Sequence, residues 1–139
     1  MTEAQRKQFF EMRKALDGFV AKIADSPAEI NENPAAIRPW KEGAYAVGDV
    51  RMHEGAPYKC VQAHDSTGNP GWNPAATPAL WMQYHGTTKE TARPFIHPTG
   101  AHDMYLQGEY AVFDGAIKCA TMDTSFSPDE YPAAWEDAE

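Results

Sequence analysis

Two aromatic residues, Trp72 and Phe126, have a sequence context that could support ligand binding. Trp72 lies in a stretch of turn-forming residues from 64 to 77, directly before the pair Asn73-Pro74. A tryptophan in such a loop either covers a core from above or stays exposed, and composition leaves both alternatives open. An exposed indole offers a flat, electron-rich face on which the C–H face of a sugar ring can stack. Exposure of the large apolar surface of an indole is tolerated when a ligand covers it.

The sequence supports metal binding and acid–base catalysis less well than it supports ligand stacking on an aromatic ring. The histidines form no closely spaced Cys/His set of the kind that binds zinc, so we interpret His97, His102 and Asp103 as surface or structural residues. A glycosidase needs two carboxylates across a cleft, which a unit this small hardly offers. We expect Asp49 and Glu109, which lie at matching turns, to cap strand ends. The sequence therefore predicts a protein that is not an enzyme and has no metal or cofactor.

The charge balance restricts the classes of partner. Twelve basic against twenty acidic residues give a net charge of −8, which argues against binding nucleic acid or anionic lipid. No stretch approaches the length of a membrane span, which excludes membrane insertion. The N-terminus lacks the plan of a secretory signal. We therefore expect an extracellular protein exported by another route, or one associated with a virion.

The landmarks around Trp72 recur around Phe126 in the same order. The first set is Tyr45, Gly48-Asp49, Gly55, Tyr58-Lys59-Cys60, Trp72-Asn73-Pro74 and Trp81; the second is Tyr105, Gly108-Glu109, Gly115, Ile117-Lys118-Cys119, Phe126-Ser127-Pro128 and Trp135. A repeat of this length indicates one folding unit used twice. The match makes Cys60 and Cys119 equivalent, and we expect each to be a small buried residue in its own core rather than a partner in a bridge.

Each copy has the pattern of a small antiparallel sheet. Short β-rich runs flank a Glu54-Gly55 turn, and 57–63 is predicted as the returning strand. The predicted fold is mainly β, with an N-terminal helix and linker over 1–34, a first unit over 36–85 and a second over 92–137. We interpret 85–94 as a connector and the acidic tail 136–139 as a solvated end.

The N-terminal helix is predicted from its apolar spacing and its ends. A capping box at Thr2 and Gln5 would start it, and Ser26-Pro27 would open a second short helix. A heptad seam is formed by Phe9, Met12, Leu16, Phe19 and Ile23. We favour a coiled coil that makes a homo-oligomer, preferably a trimer. In the alternative, the helix lies on its own units and Phe9, Phe10 and Phe19 join their core.

The first copy resembles the small chitin-binding carbohydrate-binding modules of families 5 and 12. The resemblance rests on Tyr45-x-x-Gly48-Asp49-Val50, Gly55-x-x-Tyr58-Lys59-Cys60-Val61-Gln62-Ala63-His64, Gly71-Trp72-Asn73-Pro74 and Pro78-Ala79-Leu80-Trp81, and it covers Trp40 to about Met82. It implies that Trp72 stacks on polysaccharide, helped by Asn73 and Pro74. It also implies no metal and no cofactor. Trp40 and Trp81 would be core residues, and we assign Tyr45, Tyr58 and Trp135 to the cores as well.

The second copy is a degraded match in which Phe126 would offer a weaker stacking face. A helix before two modules resembles a small phage or prophage tail or accessory protein, by analogy of architecture. We therefore predict a non-catalytic protein that binds a chitin-like or cell-surface polysaccharide and is displayed on an oligomer. The alternative is a virion structural or assembly protein whose modules contact other virion proteins.

Overall fold

The chain begins with two helices whose starts are as the sequence predicts. The computed structural model describes residues 1–138, with α1 at Glu3–Ile23 and α2 at Pro27–Glu32. In the capping box of α1, the Gln5 amide donates to Thr2 Oγ1 at 3.1 Å and the Thr2 amide donates to Gln5 Oε1 at 2.8 Å. The Ser26 hydroxyl accepts from the Glu29 amide at the start of α2. A 3-10 turn over Pro34–Ala36 follows.

The C-terminal end of α1 packs against the rest of the chain. Its buried side chains belong to a cluster composed of Val20, Ile23, Ile30, Ile37, Val50 and Tyr84. The Tyr84 hydroxyl donates to the Ala24 carbonyl at 2.6 Å and fixes the end of the helix. Ile23, which we assigned to an oligomerisation seam, is therefore a residue of the protein's own core.

Several apolar side chains of α1 lie in solvent. Phe9, Phe10 and Phe19 are 59%, 70% and 40% exposed, so the alternative in which these three side chains join the core is wrong. Met12 is exposed and Leu16 is half-buried. We refer to Phe9, Met12 and Phe19 as the exposed helix face. Nowhere in the described chain is there a helix with the length and hydropathy of a membrane span.

The first unit consists of two small antiparallel sheets. β1 (Ala44–Tyr45) pairs with β4 (His64–Asp65), while β2 (Val50–His53), β3 (Ala56–Cys60) and β5 (Trp81–Gln83) form a second sheet in the order β2-β3-β5. Glu54 and Gly55 both have positive φ, at 49° and 81°, which is the geometry of a tight two-residue hairpin. The returning strand therefore begins at Ala56 and ends at Cys60, earlier than 57–63.

The second unit has a four-stranded sheet in the order β6-β7-β8-β9. Its strands are β6 (Arg93–Pro94), β7 (Tyr110–Phe113), β8 (Ala116–Ala120) and β9 (Trp135–Asp137). β7, β8 and β9 pair antiparallel, but β6 lies parallel to β7, which departs from the all-antiparallel prediction. The segment interpreted as a connector thus contributes a strand to this sheet.

The sheet register corrects the proposed match between the two cysteines. Cys60 pairs with Trp81 in the first unit, and Ala120 pairs with Trp135 in the second. The amide of Cys60 donates to the Asp49 carbonyl, and the amide of Ala120 donates to the Glu109 carbonyl. Cys119 is thus equivalent to Lys59, and its side chain points to the opposite face of the sheet because successive strand residues alternate. Cys60 is buried and Cys119 is half-buried.

The acidic tail, as far as it is described, has exposed side chains at Glu136 and Asp137 but contributes main chain to the second sheet. Glu136 and Asp137 belong to β9, and the Ala138 amide donates to the Ile117 carbonyl. Lys118 forms an ion pair with Asp137. Glu139, the last residue of the predicted tail, lies outside the described residues.

Polar side chains join α2, the connector and the second unit. Asn31 donates to the His85 carbonyl at 2.9 Å, and Arg93 donates to the Tyr84 carbonyl at 2.7 Å and to Asn31 Oδ1 at 2.6 Å. His85 Nδ1 lies 2.9 Å from Glu109 Oε1, and both side chains are buried. The His85 ring stacks on Tyr105 of the second unit, with ring centroids 3.7 Å apart. These contacts hold the two units in one arrangement.

Candidate functional site

The loop between β4 and β5 presents Trp72 to solvent. The indole is 42% exposed. Its main chain is fixed on both sides: the Trp72 amide donates to the Asn69 carbonyl at 3.0 Å, and Asn73 Oδ1 accepts from the Ala76 amide at 3.0 Å. Pro74, which follows, is fully buried. The Trp72 ring therefore lies outside the core, on a main chain that is anchored in the core by Pro74.

The start of the same loop is tied to the segment before β1. Ser66 is fully buried, and its hydroxyl accepts from the Gly43 amide at 3.1 Å. Its own amide donates to the Gly43 carbonyl at 2.9 Å. Glu42 accepts from the Gly68 amide at 2.9 Å. Because both ends of the loop are held, Trp72 needs little ordering before it meets a ligand, and this lowers the entropic cost of binding.

Other aromatic residues of the first unit form its core. Trp81 is buried, with its ring centroid 4.9 Å from that of Tyr45 and 5.7 Å from that of His64. Tyr58 is buried in the same cluster, and Trp40 is half-buried against it. Of the four tryptophans, all of which lie in the described chain, Trp72 is the exposed one.

Comparisons with known proteins match this unit. Residues 39–82 match the model of carbohydrate-binding module family 5/12. The first unit is similar to a family 5/12 module. The family 5/12 match thus includes both the exposed indole and the aromatic core beneath it.

Two curated relatives share the family 5/12-like part. Streptogrisin-C of Streptomyces griseus is 51% identical over 45 residues, which are 32% of this chain and 9% of that protein. Chitinase Chi52 of Paenibacillus xylanexedens is 38% identical over 65 residues, which are 45% of this chain and 12% of that protein. The chain thus spans only a small part of the length of either relative.

One solved structure is also similar in sequence. A family GH18 chitinase from Chromobacterium violaceum is 39% identical, with a TM-score of 0.33. The similarity covers 44% of this chain and 16% of the chitinase chain.

The second unit places Phe126 where the family 5/12-like unit has Trp72. The Ser127 carbonyl accepts from the Glu130 amide, as the Asn73 carbonyl accepts from the Ala76 amide, and a buried proline follows in both units, at Pro128 and Pro74. The Phe126 ring is 53% exposed. The indole of Trp135 is buried beneath it and donates to the Phe126 carbonyl at 3.0 Å. The main chain of Phe126 is therefore anchored, although its ring is smaller than an indole.

Tyr131 is a further exposed aromatic residue that the sequence analysis missed. It is 45% exposed, and its ring centroid lies 6.1 Å from that of Phe126, with the ring planes 75° apart. It lies four positions after Ser127, where the first unit has Thr77 four positions after Asn73. The sequence did contain a signal that could have identified Tyr131. Aligning Ser127-Pro128 with Asn73-Pro74 places Tyr131, an aromatic residue, at the position of Thr77, a small polar one.

Four of the polar residues considered for chemistry, Asp49, His97, Asp103 and Glu109, have structural partners. Asp49 and Glu109 accept from the amides of Ala46 and Leu106, at 2.9 and 2.7 Å, and so close equivalent turns. Asp103 accepts from the amides of Thr99 and Gly100. His97 Nε2 lies 2.6 Å from Glu130 Oε1. Within residues 1–138, no three His, Cys, Asp or Glu side chains are grouped as a metal site.

A large cleft in the protein does not coincide with the exposed aromatic rings. It has a volume of about 640 Å³ and is lined by residues that include Asp25, Val47, Lys59, Met82 and His102. Neither Trp72 nor Phe126 lines it. A polysaccharide chain is an extended ligand that stacks on a surface ring, so we place the candidate site at Trp72 rather than in this cleft.

Proposed function

We propose that the protein is a non-catalytic carbohydrate-binding protein in which Trp72 stacks on a polysaccharide. The observation that carries this proposal is the indole of Trp72, which is 42% exposed. It lies on a loop whose main chain is held by hydrogen bonds on both sides of the ring. The match of residues 39–82 to family 5/12 supports it independently. A neutral glycan also suits a chain whose net charge of −8 disfavours phosphate-rich ligands. Asn73 and Pro74 position the ring.

We propose a chitin-like, N-acetylated glycan as the ligand class. A relative named a chitinase shares 65 aligned residues with this chain, which supports that choice among polysaccharides. The sugar presents an apolar C–H face to the indole, and its burial against the ring supplies most of the binding free energy. A protein with this activity would act outside the cell, either on its own or as part of a virion.

The test is binding of the intact protein to chitin after Trp72→Ala. We expect affinity to fall at least tenfold, which corresponds to the loss of more than about 1.4 kcal/mol at a central aromatic contact. The circular dichroism spectrum should not change, because the ring is exposed and its loop is held by other residues. Val47→Ala is the matched control, since Val47 is also an exposed apolar residue of the first unit, at 67% exposure.

Retention of chitin binding by Trp72→Ala at the wild-type level would place the site elsewhere. If the wild-type protein binds no member of a glycan array, the carbohydrate proposal is wrong. The remaining hypothesis would then be the structural role, in which the units contact protein.

We also propose that copies of the chain associate through the exposed helix face, with a trimer favoured. Phe9, Met12 and Phe19 recur at heptad-like spacing along α1, and all three side chains are exposed. Burial of these side chains between helices would remove their apolar surface from water. Several Trp72 loops on one particle would raise the avidity for a polymeric ligand by increasing the effective concentration.

A further inference from the structure

We infer that the second unit carries its own saccharide subsite, formed by Phe126, Tyr131 and Glu130. This inference rests on the proposed function, because it identifies a second place where the same class of ligand binds. Beyond the proposed function, it assigns Tyr131 and Glu130 to ligand binding. It also predicts that the ligand contacts two angled rings rather than one flat face. The ligand class is an N-acetylated pyranose residue within a glycan.

The two rings of this subsite form an angled surface rather than one flat face. Their planes are 75° apart at a centroid separation of 6.1 Å, and both rings remain about half exposed. One ring can contact the face of a pyranose while the other contacts an apolar substituent, such as the methyl group of an N-acetyl. Such a surface distinguishes N-acetylated sugars from unsubstituted ones, because an unsubstituted sugar leaves the second ring uncovered.

The main chain that carries these rings is held in place. The Ser127 carbonyl accepts from the amides of Glu130 and Tyr131, at 3.1 and 3.0 Å. The Phe126 carbonyl accepts from the Trp135 indole, and the Phe126 amide donates to Thr124 Oγ1 at 3.0 Å. The main-chain positions of both ring-bearing residues are therefore set by the fold before a ligand arrives.

A carboxylate lies beside the rings and can accept from sugar hydroxyls. Glu130 Oε1 accepts from the Ser127 amide at 2.8 Å and lies 2.6 Å from His97 Nε2. No hydrogen bond to Glu130 Oε2 occurs among residues 1–138, so this oxygen remains available as an acceptor. The Ser127 amide, followed by the Ser127 hydroxyl and His97, lowers the pKa of Glu130, which keeps the carboxylate ionised.

The first unit has no counterpart of this angled surface. Thr77 occupies the position of Tyr131, and its hydroxyl donates to the Asn73 carbonyl at 2.8 Å. Trp72 is therefore a single flat stacking face. His97, the partner of Glu130, lines a narrow cleft together with Pro74 and Ala75, which follow Trp72. Residues next to Trp72 and the His97 partner of Glu130 thus line the same cleft, and we infer that a single glycan chain can contact both subsites.

The test is isothermal titration of the intact 139-residue chain with the N-acetylglucosamine hexamer and, for comparison, the glucose hexamer. The variants are Trp72→Ala, Tyr131→Thr and the double substitution. Tyr131→Thr introduces the side chain that the first unit has at this position, and circular dichroism checks its fold. We expect Tyr131→Thr to weaken N-acetylglucosamine hexamer binding at least threefold. The double variant should lose the residual binding of Trp72→Ala.

The outcomes separate the two proposals. If Tyr131→Thr binds the N-acetylglucosamine hexamer as tightly as wild type, and also leaves the residual binding of Trp72→Ala unchanged, the second subsite does not exist while the role of Trp72 stands. If the wild type binds neither hexamer, the proposed function itself fails. Equal loss of both hexamers on Tyr131→Thr would overturn the preference for N-acetylated sugars.

Discussion

Ala120 occupies in the second unit the position that Cys60 occupies in the first, opposite a buried tryptophan on the neighbouring strand. Each amide donates to the carbonyl of the acidic residue that closes the preceding turn. The two cysteines are consequently in different environments, with Cys60 buried in a core and Cys119 half-buried on the other face of its sheet. This difference should appear in their reactivity.

We expect Cys119 to react with a thiol reagent before Cys60 in the folded protein. Burial raises the pKa of both thiols above the usual 9.0, so both react slowly at neutral pH, and the rate for Cys119 should still be rising above pH 9. Mass spectrometry of labelled peptides gives the order of reaction. Cys119→Ser should remove the faster phase, whereas faster labelling of Cys60 would contradict the assigned register.

The two core tryptophans should respond differently to removal of their indole N–H. Trp135 donates to the Phe126 carbonyl, while the Trp81 N–H has no protein partner among the described residues. Trp135→Phe should therefore lower the free energy of unfolding by about 1 kcal/mol more than Trp81→Phe does. Urea denaturation of the two variants measures this difference. Equal losses would mean that the hydrogen bond to Phe126 contributes nothing net.

The stability of the contact between α1 and the rest of the chain should depend on pH through Asp17. Arg38 donates to both Asp17 oxygens, at 2.8 to 3.1 Å, and Arg13 donates to Oδ1 at 3.0 Å. The hydrogen bond from Arg38 is the largest cause of a lowered Asp17 pKa, which outweighs the effect of partial burial; Arg13 lowers it further. A lowered carboxyl pKa stabilises the fold at pH values above the ordinary pKa of 3.8, and this contribution is lost as pH falls through the lowered value.

Asp17→Asn should therefore lower the urea midpoint at pH 7, and the difference from wild type should shrink below the ordinary pKa of 3.8. We expect a small effect because the pair is partly exposed. About 1 M salt should reduce it further by screening. A difference that is the same at pH 7 and at pH 2 would show that Asp17 acts through packing rather than charge.

Substitution on the exposed helix face should change the oligomeric state. Met12→Lys places a charge between Phe9 and Phe19, so the mass measured by light scattering should fall towards that of a monomer, 15.4 kDa. Lys14→Glu, at an exposed position off this face, is the control. A wild-type protein that is monomeric at all concentrations would refute the proposed association. The Met12→Lys variant should also bind insoluble chitin more weakly than wild type while binding the soluble hexamer equally well.

The helices and the first unit follow closely from local sequence signals. Thr2 and Gln5 define one helix start and Ser26-Pro27 the other, because side-chain caps are short-range interactions. Glu54-Gly55 likewise fixes the hairpin, since a glycine readily adopts the positive φ that the turn requires. The setting of Trp72 between Gly71 and Asn73-Pro74 is also a local property, but it left the exposure of the ring open, and the prediction that Trp72 binds ligand came from the resemblance to families 5 and 12.

The features that the sequence analysis missed depend on contacts distant in sequence. The strings Tyr58-Lys59-Cys60 and Ile117-Lys118-Cys119 align by residue type, but the preceding Gly55 and Gly115 fix a register shifted by one position. The parallel strand β6 depends on pairing with β7, and burial of Ile23 depends on Ile37 and Tyr84. Tyr131 gains its significance only when the Ser127 turn brings it next to Phe126.

The junction around Arg93, Asn31, His85 and Glu109 has a consequence for ligand selection. A flexible linker would let the two units turn independently and accept glycans of any shape, whereas this junction sets one separation and one orientation between Trp72 and the Phe126–Tyr131 pair. A chain that contacts both must present its sugars at that spacing, so the protein would discriminate among polymers by their helical pitch as well as by their composition.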